Sequence, residues 1–241
     1  MDTDYLFSKA CNIALLDRQS IKLNTTKENK MYQRDATEIA TLAKHNNSVA
    51  PIIGFTLSTI QAGLQTCTGQ AQKVIDNGYS ANCLWGLKAE GLKYAIDNDA
   101  WLYQKAMHIV DQYGYDSVDG ITEAILLFMN VPNLGMVKAS FVCQMLGFNV
   151  SCLDSHNLKR LGMNANFTKV PATMSDNGKR KKIATYIALC QEQGTEYWWN
   201  SWCDYVAGNQ ANRSLVTGDI VSRFHVECIN LWTIACDTLR K

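Results

Sequence analysis

The sequence predicts an all-α protein, and three observations carry that reading. Apolar positions recur at helical spacing along almost the whole chain, while the alternation of a half-buried strand is scarce. Only three prolines interrupt 241 residues. Asparagine and glycine breaks fall between the periodic runs, where helices have to stop. With 47% hydrophobic residues, a chain of this length can bury one large core or two lobes that share a cleft.

The periodicity places helices near 3–16, 31–45, 49–62, 65–77, 81–96, 100–113, 119–129, 135–147, 155–161, 176–193, 195–207 and 217–238. The polar stretch "SIKLNTTKENKMY" at 20–32 reads as an exposed connector after the first helix. Asn46-Asn47 separates the second helix from the third, Asn77-Gly78 closes the fourth, and Gly114 closes the sixth. Asp116 and Asp119 offer cap oxygens to the seventh helix, and Gly147 ends the eighth. Ser175-Asp176 offers caps to the 176–193 helix, with Asn177-Gly178 and Gly208-Asn209 as further breaks. The cluster Tyr197, Trp198, Trp199, Trp202 and Tyr205 falls mostly on one helix face, as an aromatic core seam or a base-stacking platform. No internal repeat or low-complexity segment is visible.

Charge is distributed unevenly. Residues 131–182 carry eight basic and two acidic side chains, a block of +6 in a chain that is otherwise −5. Such a block is a footprint for phosphates or a solvated basic face. Nine cysteines, an odd number with no C-x-x-C pair, and an acidic Met1-Asp2-Thr3-Asp4 start suggest a reducing, cytoplasmic setting. Cys203, Cys228 and Cys236 are spaced too widely for a compact cluster, and His45, His108, His156 and His225 are scattered, so no metal site is expected. No run approaches the roughly eighteen apolar residues of a membrane span.

The most informative stretch is "VPNLGMVKASFVCQMLGFNVSCLDSHNLKRLG", from Val131 to Gly162. A turn between two helices needs a residue with positive φ, and after glycine asparagine tolerates this best, which points to Asn133. Pro132 fixes the entry, and Gly135 opens the next helix with no side chain in front of its amides. That helix start is a natural seat for a phosphate, and Lys138 adds charge one turn in. Asp154 precedes a basic helix start, as a structural cap or as a catalytic carboxylate.

Together, Val131-Pro132-Asn133-Leu134-Gly135-x-x-x-Ala139 followed by Leu153-Asp154-Ser155-His156 resembles the helix-hairpin-helix element of the DNA glycosylase superfamily, which includes endonuclease III and the adenine and 3-methyladenine glycosylases. "TLSTIQAG" (56–63) and "LYQKAMHIV" (102–110) resemble upstream helices of the same family, so the likeness covers about 49–162. Residues 163–241 carry no such match. The resemblance implies two helical lobes flanking a DNA-binding cleft: a six-helix barrel over 46–150, with the hairpin at about 119–147, and a second lobe from 1–45 plus 151–241. It implies Asp154 as the catalytic carboxylate. It implies DNA contacts from Pro132, Asn133, Leu134, Gly135, Lys138, Gln61, His156, Lys159 and Arg160, with Gln61 reaching toward the hole left by a flipped base. Tyr113, Tyr115 and Trp101 are stacking partners for that base or core residues.

Two departures matter. Family members that also cut the strand carry a lysine two positions after the second Gly of the hairpin; here that position is Val137, and Lys138 follows it. One residue rotates a helical side chain by about 100°, so Lys138 is expected to face the DNA backbone or the lobe interface, without efficient lyase activity. An offset of one in the register would make Lys138 the catalytic amine. The four-cysteine cluster of endonuclease III is also missing. The expected protein is a monofunctional glycosylase acting as a monomer on double-stranded DNA, with no membrane partner and no cofactor beyond a monovalent cation at the hairpin backbone. The alternatives are a related base-modifying enzyme of the kind phages use on thymine derivatives, and a non-catalytic duplex-binding protein.

Overall fold

The computed structural model describes residues 46–195, except 62–68, 71–72, 75 and 78–79, together with 197–198. Among the described residues the fold is all-helical: α1 (Ala50–Thr59), α2 (Leu87–Asp97), α3 (Asp99–Tyr113), α4 (Val118–Phe128), α5 (Met136–Met145), α6 (Ser155–Arg160) and α7 (Asp176–Gln193). Short 3-10 turns occupy Ala81–Cys83 and Ala165–Thr168. The expected helices at 3–16, 31–45 and 217–238, with most of 65–77 and 195–207, lie outside the described residues.

Helix α4, "VDGITEAILLF", is apolar enough to sit between neighbours, and α3, α5 and α7 all pack on it. Ile121, Ala124, Ile125 and Phe128 are fully buried there. Helix α1 packs against α2 and α5 on another side of the same core, where Ile53 and Leu57 are fully buried. Helix α1 is buried along nearly its whole length, a helix apolar all round rather than on one stripe.

Its N-terminus has no cap from its own sequence. The Asp99 carboxylate on α3 takes that role from fifty residues away, accepting from the Val49 and Ala50 amides at 2.7 Å each and from the Ser48 hydroxyl at 2.7 Å. An anion at the positive end of a helix satisfies donors that would otherwise be orphaned, and here it also ties α3 to α1.

Several expectations are corrected. The helix expected over 81–96 is a 3-10 turn, then a break, then α2 from Leu87, because Gly86 takes φ 55° and leaves the helical region. Trp85 and Leu87, on either side of that break, are among the most exposed large apolar residues described. Helix α4 is capped by Ser117, whose hydroxyl accepts from the Gly120 amide, and not by Asp116 or Asp119. Ser175 caps α7 as expected. Helix α1 ends at Thr59, three residues before its expected end, and the chain turns through Gln61 at φ 51°.

Candidate functional site

The segment from Val131 to Gly135 joins α4 to α5 in a tight turn. The Leu134 amide donates to the Val131 carbonyl at 3.0 Å, and Asn133 holds φ 69°. Proline at the first corner and a positive φ at the second are the type II pattern, which places Asn133 in the left-handed conformation expected of it. Leu134 is buried, so its side chain anchors the turn and presents almost none of its surface outward. Gly135 is exposed, and a Cβ built on it would meet nothing within 4 Å. No side chain caps α5, so its first amides open beside an unobstructed glycine.

Downstream, Asp154 is the N-cap of α6. Its Oδ1 accepts from the His156 and Asn157 amides at 3.0 Å each, which fixes the carboxylate against the first turn of the helix. The segment before it is held from below by α7. The Tyr186 hydroxyl donates to the Ser151 carbonyl at 2.5 Å and accepts from the Leu153 amide at 2.9 Å. Burial pushes the Tyr186 phenol well above its ordinary pKa, so it stays a neutral donor. The Gln144 side chain on α5 accepts from the Cys152 amide at 3.1 Å, and Asn157 donates back to the Cys152 carbonyl at 2.9 Å. Residues 151–154 are thus clamped by three helices.

Tyr186→Phe is expected to remove both bonds, leaving the Leu153 amide unsatisfied and the Ser151 carbonyl with only the weak Cys190 thiol donor at 3.6 Å. The cost should be about 2–4 kcal/mol of stability, measured by urea unfolding. A loss below about 0.5 kcal/mol would mean that the clamp does not hold the segment.

Lys138, on the first turn of α5, is half-buried. Its ammonium donates to the Thr59 hydroxyl at 3.2 Å and lies 5.6 Å from the centre of the Phe141 ring. Its charge and that of Asp154 both act on the Cys152 thiol, which burial raises to about 12 while Lys138 pulls it down and Asp154 pushes it up. At neutral pH that thiol is protonated and a poor nucleophile. A second lysine appears here that periodicity gives no reason to single out: Lys88 on α2 donates to the Ile60 carbonyl at 2.6 Å.

The other expected contacts spread out. Gln61 is exposed just past Ile60, at the Lys88 and Lys138 tether points. His156 and Lys159 are exposed on α6. Arg160 is turned against aromatics, its guanidinium 5.5 Å from the Tyr197 ring and 5.7 Å from the Trp198 ring, with a hydrogen bond to the Tyr197 hydroxyl at 3.3 Å. Trp198 is buried, and its indole donates to the Cys190 carbonyl at 2.9 Å, so this part of the aromatic cluster is a core seam. Trp199, Trp202 and Tyr205 lie outside the described residues. Trp101 and Tyr113 are 44% and 40% exposed, not core, whereas Tyr115 packs edge-on against Phe148.

Part of the basic block is engaged within the fold. Arg180 bonds Glu123, Lys179 pairs with Asp176 at 3.2 Å, and Lys182 donates to the Asn166 carbonyl at 2.9 Å. Lys159, Lys169 and Lys181 are exposed. Among the described residues no group of three His, Cys, Asp or Glu could hold a metal ion, and no helix is long and apolar enough to cross a membrane. Comparison with protein-family models, with curated proteins and with solved structures found no match.

Proposed function

We propose that the protein is a monofunctional DNA glycosylase that flips a damaged or modified base out of duplex DNA and hydrolyses its N-glycosidic bond. The observation that carries this reading is Asp154, a carboxylate fixed at a helix start by two amides, on a segment whose preceding backbone is held by Tyr186 and Gln144. Hydrolysis of the bond builds positive charge on the sugar, and a rigid carboxylate beneath it stabilises that charge or orients a water. The turn through Asn133 and the uncapped start of α5 make a helix-hairpin-helix reading of 119–147 the natural one, with a backbone phosphate at the open amides beside Gly135. In this reading the barrel lobe spans 46–150, and the second lobe is built from 1–45 and 151–241. The tether of Lys138 to Thr59 turns its ammonium toward the end of α1, which supports a role in positioning DNA in place of a lyase nucleophile.

A base-modifying enzyme of the same architecture is the second reading. The pair of lysines at the end of α1 favours it, because hydrolysis by water alone does not call for two amines held together there. The test is a panel of labelled duplexes carrying uracil, 5-hydroxymethyluracil, hypoxanthine, an alkylated purine or 8-oxoguanine, each scored with and without alkali. Breaks that need alkali are expected for at least one base. Duplex binding with silence across the panel would count against hydrolysis and favour base modification or plain DNA binding.

A further inference from the structure

Two lysines from helices fifty residues apart in sequence are tethered to consecutive residues. Lys138 of α5 donates to the Thr59 hydroxyl, and Lys88 of α2 donates to the Ile60 carbonyl. The tethers are specific: Thr59 gives its own proton to the Thr56 carbonyl at 2.7 Å, so its oxygen faces Lys138 as an acceptor. Each ammonium carries three protons, and each tether uses one. Both groups are partly withdrawn from water. Among the described residues no carboxylate lies within ion-pair distance of either. Two like charges brought together at the end of one helix are a standing electrostatic cost that an anion between them would reverse.

We propose that Lys88 and Lys138 form a two-lysine seat for one phosphate group at the end of α1, next to Gln61. Burial and the Lys138 charge together lower the Lys88 pKa below the ordinary lysine value, the response of an ammonium short of counter-charge. The inference rests on the reading of this region as a nucleic-acid site, but it adds a helix that the hairpin does not include. The phosphate is either a phosphodiester of the bound duplex or the phosphoryl group of a small co-substrate.

The test uses the full chain with Lys88→Gln, Lys138→Gln and the double variant, plus Lys88→Arg as the charge-preserving control, each checked for unaltered thermal unfolding. Duplex affinity is measured across salt concentrations, and binding of inorganic pyrophosphate is measured by calorimetry. For a shared phosphodiester, the double variant lowers the salt slope by about one in total, each single variant lowers it by no more than that, and Lys88→Arg keeps the native slope. For a co-substrate, the slopes stay unchanged while pyrophosphate binds the native chain and not the double variant. Slopes that fall by about one for each lysine would place them on separate phosphates and overturn the proposal, as would folded variants with unaltered slopes and unaltered pyrophosphate binding. None of these outcomes depends on base release, so failure of the glycosylase reading and failure of the seat remain distinguishable.

Discussion

Asp154→Asn is expected to lower single-turnover base release by about 10²–10⁴ while leaving the fold and duplex binding in place. The reason lies in what the substitution keeps. Oδ1 of Asp154 caps α6 through the His156 and Asn157 amides, and an asparagine oxygen caps a helix about as well as an aspartate oxygen. Stability should therefore change by only a few tenths of a kcal/mol. What disappears is the negative charge that would face the developing cation on the sugar. Duplex affinity should hold or rise slightly, because a like charge near the phosphates is gone. Asp154→Ala is the informative contrast: it loses the cap as well, about 1 kcal/mol, and its defect mixes folding with chemistry. An Asn variant that still releases base within a few-fold of the native rate would reduce Asp154 to a structural cap and remove the central residue of the proposed mechanism.

The parts of this site that could be read in the sequence are those encoded within four or five residues. Asn133 in a left-handed turn, Ser175 capping α7 and Asp154 capping α6 all follow from local backbone needs that few residue types meet. What escaped reading is long-range. Asp99 looks like an ordinary first-turn acid of α3, and only the tertiary structure turns its carboxylate onto the amides of α1. Tyr186 reads as one more core aromatic, yet its hydroxyl holds the segment ahead of Asp154. Lys88 resembles a solvated helix lysine, because nothing near it in sequence announces the Ile60 carbonyl. The misplaced start of α2 has the opposite cause. Helical periodicity ran through Gly86, whose positive φ broke the helix where the pattern alone would have continued it.

Gly91→Ala is expected to destabilise the protein by about 2 kcal/mol, although by local propensity alone it should stabilise α2. Alanine favours a helix interior over glycine by about 1 kcal/mol. The tertiary structure opposes that gain. A Cβ at position 91 would lie 2.4 Å from the Pro132 carbonyl oxygen, with both terminal methyls of Leu57 at 3.2 Å. That is roughly 1 Å inside the ~3.3 Å at which a carbon and a carbonyl oxygen normally meet. The obstacle is backbone, so no rotamer change relieves it, and overpacking of this kind costs about 1–3 kcal/mol, toward the upper end where the chain itself must move. Gly69→Ala is the control, since a Cβ there meets nothing within 4 Å and no such clash opposes it. The way the strain is relieved is itself informative, because Pro132 is the first corner of the turn through Asn133. If the turn yields, duplex affinity should fall along with stability; if α2 yields, Lys88 moves with it and the salt slope should change while the turn keeps its shape. A Gly91→Ala protein as stable as the native one, with native affinity and salt slope, would mean that α2 and the turn do not approach as closely as the proposed phosphate contacts require.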